Sequence, residues 1–388
     1  MTQAPHRSAI YLDHAASSQP YPLVLRSLKK SAELHFGNPS ALHSVANTSR
    51  AAIERARHQM RTIFSVDAEE IFFTSGATEA LHLGIIGSGI HIYNTKKNLH
   101  IISSPLVHSA VRGALEFLKQ HFSAKISFFP IDKNGFLDLD FLNKAPLETT
   151  DLVVAEHGNS EMGLRQPVEK IGEKIEQMTT PKPVFIIDTA ASVVIEKLSF
   201  SLQECDMFVL SAEKFGGLSG VGALIKKKQI PLSVLQAGVQ EWGMRGGTEN
   251  TLGIISMGEA LAELEKIRGK TRKKYKEFQR LIRDFFTKNF PNIKILTPEK
   301  NFLPHVFMFL LPPEKDKTLF LTQCDLDGVA IAGGSACGAG NIEPSKVLLN
   351  TGLDEKTAKQ GVRISFGWNT TEGEIKEAIK IIEKYLPR

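Results

Sequence analysis

Six short apolar runs, set among segments of helical periodicity, constrain what this chain can fold into more than any other feature. They are Ile71-Phe-Phe-Thr74, Leu99-His-Ile-Ile102, Lys125 to Phe129, Leu152-Val-Val-Ala155, Val184-Phe-Ile-Ile187 and Met207 to Leu210. Before and between them the sequence predicts helices over about 44–64, from about 77, over 109–121 and around 167–178; in the first of these, Ile53, Ala56, Met60 and Ile63 recur at steps of three and four. Strands without a polar face need cover on both sides, and strands separated by helices join by right-handed crossovers. The pattern therefore predicts an α/β chain with a mainly parallel sheet. Near residue 257 the grammar changes. A long charged helix over about 255–288 leads to strands at Ile293-Lys-Ile-Leu296 and Val306 to Leu311, a Gly-rich loop, and a closing helix with a capping box from Thr371 to Glu374. This predicts a second, smaller α+β domain.

The 388 residues leave room for two or three lobes, and a hydrophobic fraction of 42% with 23% charge is that of an ordinary globular enzyme. No run of about 18 apolar residues and no apolar leader core is present, so a cytoplasmic location without membrane contact is expected. Three scattered cysteines, Cys205, Cys324 and Cys337, lack metal-ligand spacing and argue for a reducing compartment; Cys205 and Cys324 read as buried structural thiols. The net charge of +5 is modest. Its densest basic stretch, Lys266 to Lys276, could meet RNA or an acidic partner but reads as the solvated face of the long helix, so no direct nucleic-acid contact is expected.

In an open α/β sheet, chemistry collects just after the strands. Met207 to Leu210 delivers Ser211-Ala-Glu-Lys214 into a stretch with Gly at 216, 217, 220 and 222. A primary amine fixed there and partly desolvated can form a Schiff base with an aldehyde such as pyridoxal 5′-phosphate (PLP); a surface lysine before a turn would look the same. Ser75-Gly-Ala-Thr-Glu79 opens a helix and suits a phosphate. Asp188 ends an apolar run, where it could pair with a protonated pyridine nitrogen or cap a helix. His108 could stack on a cofactor ring and shuttle protons.

With these residues in place, the chain resembles the PLP-dependent cysteine desulfurases, NifS-like enzymes of the class V aminotransferase superfamily. The resemblance runs from Tyr11-Leu-Asp-His-Ala-Ala16 to the C-terminal helix, through Gly37-Asn-Pro-Ser40, Thr74 to Glu79, His108, Asn159-Ser-Glu-Met-Gly163, Asp188, Lys214, Gly243-Met-Arg-Gly-Gly-Thr248, Gly334-Ser-Ala-Cys337 and Arg363-Ile-Ser-Phe-Gly367. It implies the type I fold of PLP-dependent transferases, with a seven-stranded, mainly parallel sheet in a large domain of residues 17–256. A small domain of residues 1–16 and 257–388 would carry the cysteine loop. It further implies Lys214 as the Schiff-base lysine, Asp188 on the pyridinium nitrogen and His108 stacked on the ring. Ala77, Thr78 and Ser211 would hold the phosphate, with Thr248 reaching over from the other subunit of a homodimer. Arg363 would clamp the substrate α-carboxylate, assisted by Asn38. Cys337, in a small-residue loop of the long type, would be the nucleophile that becomes a persulfide and passes sulfur to an iron–sulfur scaffold or tRNA-thiolation carrier. The alternatives are a PLP-fold paralogue acting by partner binding and a related lyase such as one preferring selenocysteine.

Four positions depart from the family pattern. Glu213 stands where histidine usually precedes the lysine, and an ionised carboxylate there repels a phosphate dianion unless it points away. Ser160 and Ala191 stand where Asn and Gln usually approach the ring's 3′-oxygen, and Trp368 replaces a common arginine. All four are expected to cluster around the cofactor.

Overall fold

The computed structural model describes residues 10–144, 147–178, 181–197, 204–334 and 343–386. Among them the strands are, in chain order, β1 (Ile10–Tyr11), β2 (Ile71–Thr74), β3 (His100–Ser103), β4 (Lys125–Phe128), β5 (Leu152–Glu156) and β6 (Val184–Asp188). There follow β7 (Met207–Ser211), β8 (Gly222–Lys226), β9 (Val306–Leu310), β10 (Val329–Ala330) and β11 (Gly361–Ser365). Seven of them form one sheet in the order β2-β8-β7-β6-β5-β3-β4. Only β8 runs against its neighbours, β7 and β2; the other pairs are parallel. The expected α/β architecture with a seven-stranded, mainly parallel sheet is present.

Successive side chains on a strand point to opposite faces, and here both faces are apolar. Phe72, Val154, Ile186, Val209 and Leu224 pack under the helices Ala77–Lys96 and Ser109–Phe122. Their neighbours Phe73, Val153, Ile187, Leu210 and Ile225 pack on the other face, against Ser44–Phe64, Val168–Glu176 and the start of the helix Thr251–Asn289. Each fully buried Val, Leu or Ile stabilises the sheet by roughly 1.5–3 kcal/mol.

The apolar-run pattern does not reveal β8. It begins at a glycine and ends at Lys226, which is buried with its Nζ donating to the carbonyls of Lys227 and Ile230 at 2.8 Å each. Gly222 has a packing reason: a Cβ there would lie 2.6 Å from the Gly76 Cα and 2.6 Å from the Leu210 carbonyl oxygen. The bare backbone of β8 thus lets the turn before helix Ala77–Lys96 sit directly on the sheet. Conversely, 293–296 is not a strand. It contributes a single bridge, Ile295 to Phe309.

The long helix starts at Thr251, four residues before the expected position, because the Asn250 side chain accepts the Gly253 N–H at 3.1 Å and caps it. It serves two clusters. Ile254, Met257, Leu261 and Leu264 pack on the sheet, whereas Tyr275, Phe278, Ile282 and Phe286 pack with β9, β11 and the closing helix Glu372–Tyr385. That second cluster also takes in Leu12, because β1 pairs with β10 and Asp13 bridges Ser365. The capping box expected at Thr371 and Glu374 is formed.

Candidate active site

The carboxyl ends of the parallel strands converge on one cavity of about 410 Å³. Ala77, Thr78, His108, Ser160, Asp188, Ser211 and Lys214, singled out in the sequence, all line it. Lys214 follows β7 by a single 3-10 turn, Ala212–Lys214. Its Nζ donates to the carbonyls of Ala15 and Ala16 at 3.0 and 2.7 Å, which aims the amine across the cavity floor. Burial lowers its pKa; Glu213 opposes that shift and Arg363 adds to it. An amine so placed loses its proton more readily and becomes a nucleophile.

Asp188 is the last residue of β6. Its Oδ1 accepts the Ala190 N–H at 3.0 Å, and a turn rather than a helix follows, so it caps no helix among the described residues. His108 caps the helix Ser109–Phe122, its Nδ1 accepting from Ala110 N at 3.2 Å. That bond assigns the ring proton to Nε2 when the ring is neutral. Burial lowers the His108 pKa, Asp188 pulls it back up and Lys214 pushes it down, so amine, imidazole and carboxylate act on one another.

At the start of helix Ala77–Lys96, the Ala77 N–H donates to Ser211 Oγ at 3.2 Å. The Ser211 hydroxyl in turn donates to Glu213, whose two oxygens lie 2.7 and 2.8 Å away. Glu213 therefore points into this cup. Arg363, on β11, is 3% exposed; its Nη2 donates to Asp13 Oδ1 at 2.7 Å and its Nη1 to the Ser160 carbonyl at 3.0 Å. It pairs in register with Ala332, so the stretch leading to Cys337 begins beside it. Cys337 itself lies outside the described residues. Asn38 and Thr248 sit on the exposed surface of the chain, outside the cavity lining.

A family model of the class-V aminotransferases matches residues 10–377. The chain belongs to the class-V aminotransferase family. Over 381 residues it is 31% identical to the cysteine desulfurase IscS of Clostridium botulinum, covering 97% of this chain and 94% of that protein. It is 33% identical over 383 residues to the putative cysteine desulfurase IscS 1 of Bacillus subtilis, covering 98% and 99%. A solved structure of a NifS-like protein superposes with a TM-score of 0.88 at 25% identity, over 97% of this chain and 98% of that one. The fold is that of the type I PLP-dependent enzymes.

Within this family the described residues suit the cofactor at most points. The lysine amine, the buried carboxylate, the imidazole, and a helix N-terminus with a hydroxyl beside it surround one cavity of suitable chemistry. Glu213 is the exception, being an anion in an anion cup. One expected member of the retuned cluster stands elsewhere. Ser160 and Ala191 line the cavity with Glu213, but Trp368 does not; its Nε1 donates to the Gln19 carbonyl at 2.8 Å and its ring lies 5.2 Å from Tyr21. The indole is drawn to an aromatic neighbour and a backbone acceptor behind Lys214. Cys205 and Cys324 are buried thiols, and burial raises both, Cys324 to about 12.

Glu156 was not foreseen. It ends β5 beside Asp188 on β6, lines the cavity at 2% exposure, and is pushed up to about 7 by burial, with Asp188 adding to the rise. The criterion that marks Asp188, a carboxyl group closing an apolar strand, marks Glu156 equally; ending that run at Ala155 concealed it.

Proposed function

We propose that this chain is a PLP-dependent cysteine desulfurase that converts L-cysteine to L-alanine and leaves a persulfide on Cys337. The observation that carries this reading is the meeting of Lys214, Asp188 and His108 in one cavity, in a chain aligned over 97–98% of its length with cysteine desulfurases. When bound, PLP supplies the electron sink for the charge left when the substrate loses its α-proton. Lys214, whose pKa burial lowers, would hold the cofactor and move that proton. Asp188 would face the ring nitrogen and His108 the ring plane, while Ser160 would stand near the ring's 3′-oxygen. Ala77 N–H, Thr78 and Ser211 would receive the phosphate, with Thr248 of a second copy completing the cup in a homodimer; its exposed position supports that role.

Arg363 would take the α-carboxylate in exchange for Asp13, with Asn38 assisting. The Cys337 thiolate would then attack the substrate sulfur. The carbon–sulfur bond breaks as the sulfur–sulfur bond forms, and the carbon keeps the electron pair and gains a proton to become the methyl group of alanine. Sulfur would pass to an iron–sulfur scaffold or a tRNA-thiolation carrier. We also divide the chain into a large domain, 17–256, and a small one, 1–16 with 257–388, a division supported by the β1–β10 pairing and the separate cluster around Leu12. No helix among the described residues is long and apolar enough to cross a membrane. We place the protein in the cytoplasm, on its scattered cysteines.

The test is product formation from L-cysteine and a reductant. Wild type should form alanine and sulfide in equal amounts. Lys214→Ala and Cys337→Ala should each lose at least about a thousandfold in rate. Alanine formed undiminished by Cys337→Ala would instead mark a different lyase.

A further inference from the structure

The cup at the start of helix Ala77–Lys96 is already in use. Ser211 Oγ accepts the Ala77 N–H and gives its proton to the Glu213 carboxylate. A hydroxyl has one proton, so Ser211 cannot serve Glu213 and a phosphate oxygen at once. Glu213 lines the cavity together with Gly76, Ala77 and Thr78, so its charge also faces any anion bound there. Its main chain is tied down, the Glu213 carbonyl accepting the Ser18 N–H at 2.7 Å, which leaves only the side chain to move.

The neighbouring carboxylate is handled differently. Glu79 accepts the Ser75 N–H at 2.6 Å and is neutralised by Arg245 at 2.9 Å. Glu213 forms no such close ion pair among the described residues; the cation that feels its charge is Lys214, which lines the same cavity.

We propose that Glu213 is a built-in competitor for the cofactor's phosphate, so that this chain holds PLP chiefly through Lys214 and discriminates weakly between PLP and pyridoxal, which lacks the phosphate. The inference rests on the PLP reading above and deepens it: it concerns how tightly, and through which end, the cofactor is held.

The test is a titration of cofactor-free full-length protein with PLP and with pyridoxal, followed by the absorbance of the lysine-bound forms, for wild type, Glu213→Gln and Glu213→His. A melting curve with and without inorganic phosphate accompanies each. Both variants should bind PLP about 10- to 100-fold more tightly than wild type, the effect of freeing one charge-assisted hydrogen bond, while pyridoxal affinity stays within about twofold. Phosphate should raise the melting temperature of the variants more than that of wild type. Equal PLP affinity in all three proteins would overturn the proposal while leaving the PLP reading standing. A phosphate shift confined to the variants, with no lysine-bound PLP in any form, would uphold the competition and sink the PLP reading. Neither binding nor a phosphate shift would sink both.

Discussion

A carboxyl group that folding pushes up to about 7 has a measurable consequence. Glu156 keeps its proton in the fold at pH values where the unfolded chain has released it. Its contribution to stability is therefore whole below its ordinary pKa near 4.5 and is lost as pH rises toward 7. Glu156→Gln keeps the shape and removes the titration. In urea unfolding, the variant's stability relative to wild type should improve on the order of 3 kcal/mol between pH 4.5 and pH 8; a constant difference would show that Glu156 is ionised in the fold. Lys214, Asp188 and His108 were legible because each closely follows an apolar run, where a parallel sheet opens its site. The Arg363–Asp13 pair was not, since 350 residues separate its members and only β11 and the segment after β1 bring them together.

Between β8 and the long helix, one buried cross-link sets the segment that carries Arg245 and Thr248. Arg57 of helix Ser44–Phe64 forks onto Glu241 at 2.8 and 3.1 Å, and Glu241 also accepts the Phe73 N–H of β2 at 2.8 Å. The guanidinium lies 4.6 Å from the Phe73 ring centre and 4.4 Å from that of Trp242. Glu241 and Trp242 hold φ values of 46° and 53°, a left-handed conformation that costs L-residues energy and persists only where the surroundings enforce it. Arg57→Ala leaves the Glu241 carboxylate buried without its cationic partner, at a cost of about 3–5 kcal/mol in urea unfolding. A loss below about 1 kcal/mol would mean that the segment holds its shape unaided. Helix positions in this region were readable from periodicity, but a buried ion pair between remote turns leaves no periodic trace, and neither did β8, whose Gly start and Lys end disguise a strand.

Among the described residues burial lowers several histidines, most strongly His14 to about 4, His157 to about 3 and His305 to about 3. Each lies below its ordinary 6.5, so an unfolded chain takes up protons that the fold refuses. Their stabilisation is present above pH 6.5 and is lost as pH falls toward 4, which outweighs the opposite trend of Glu156. Stability should therefore drop on acidification from pH 6.5 to 4.5, by at most roughly 3 kcal/mol per pH unit from these four groups. A flat profile would mean that the histidines titrate normally in the fold. The architecture as a whole was legible because continuous apolar strands leave a parallel sheet few alternatives. The most direct measurement of the central claim is the site of cofactor attachment. Borohydride reduction of the PLP-loaded protein, followed by peptide mass mapping, should place the pyridoxyl adduct on Lys214 alone. An adduct on another lysine, or none, would contradict the assignment of this cavity as the PLP centre.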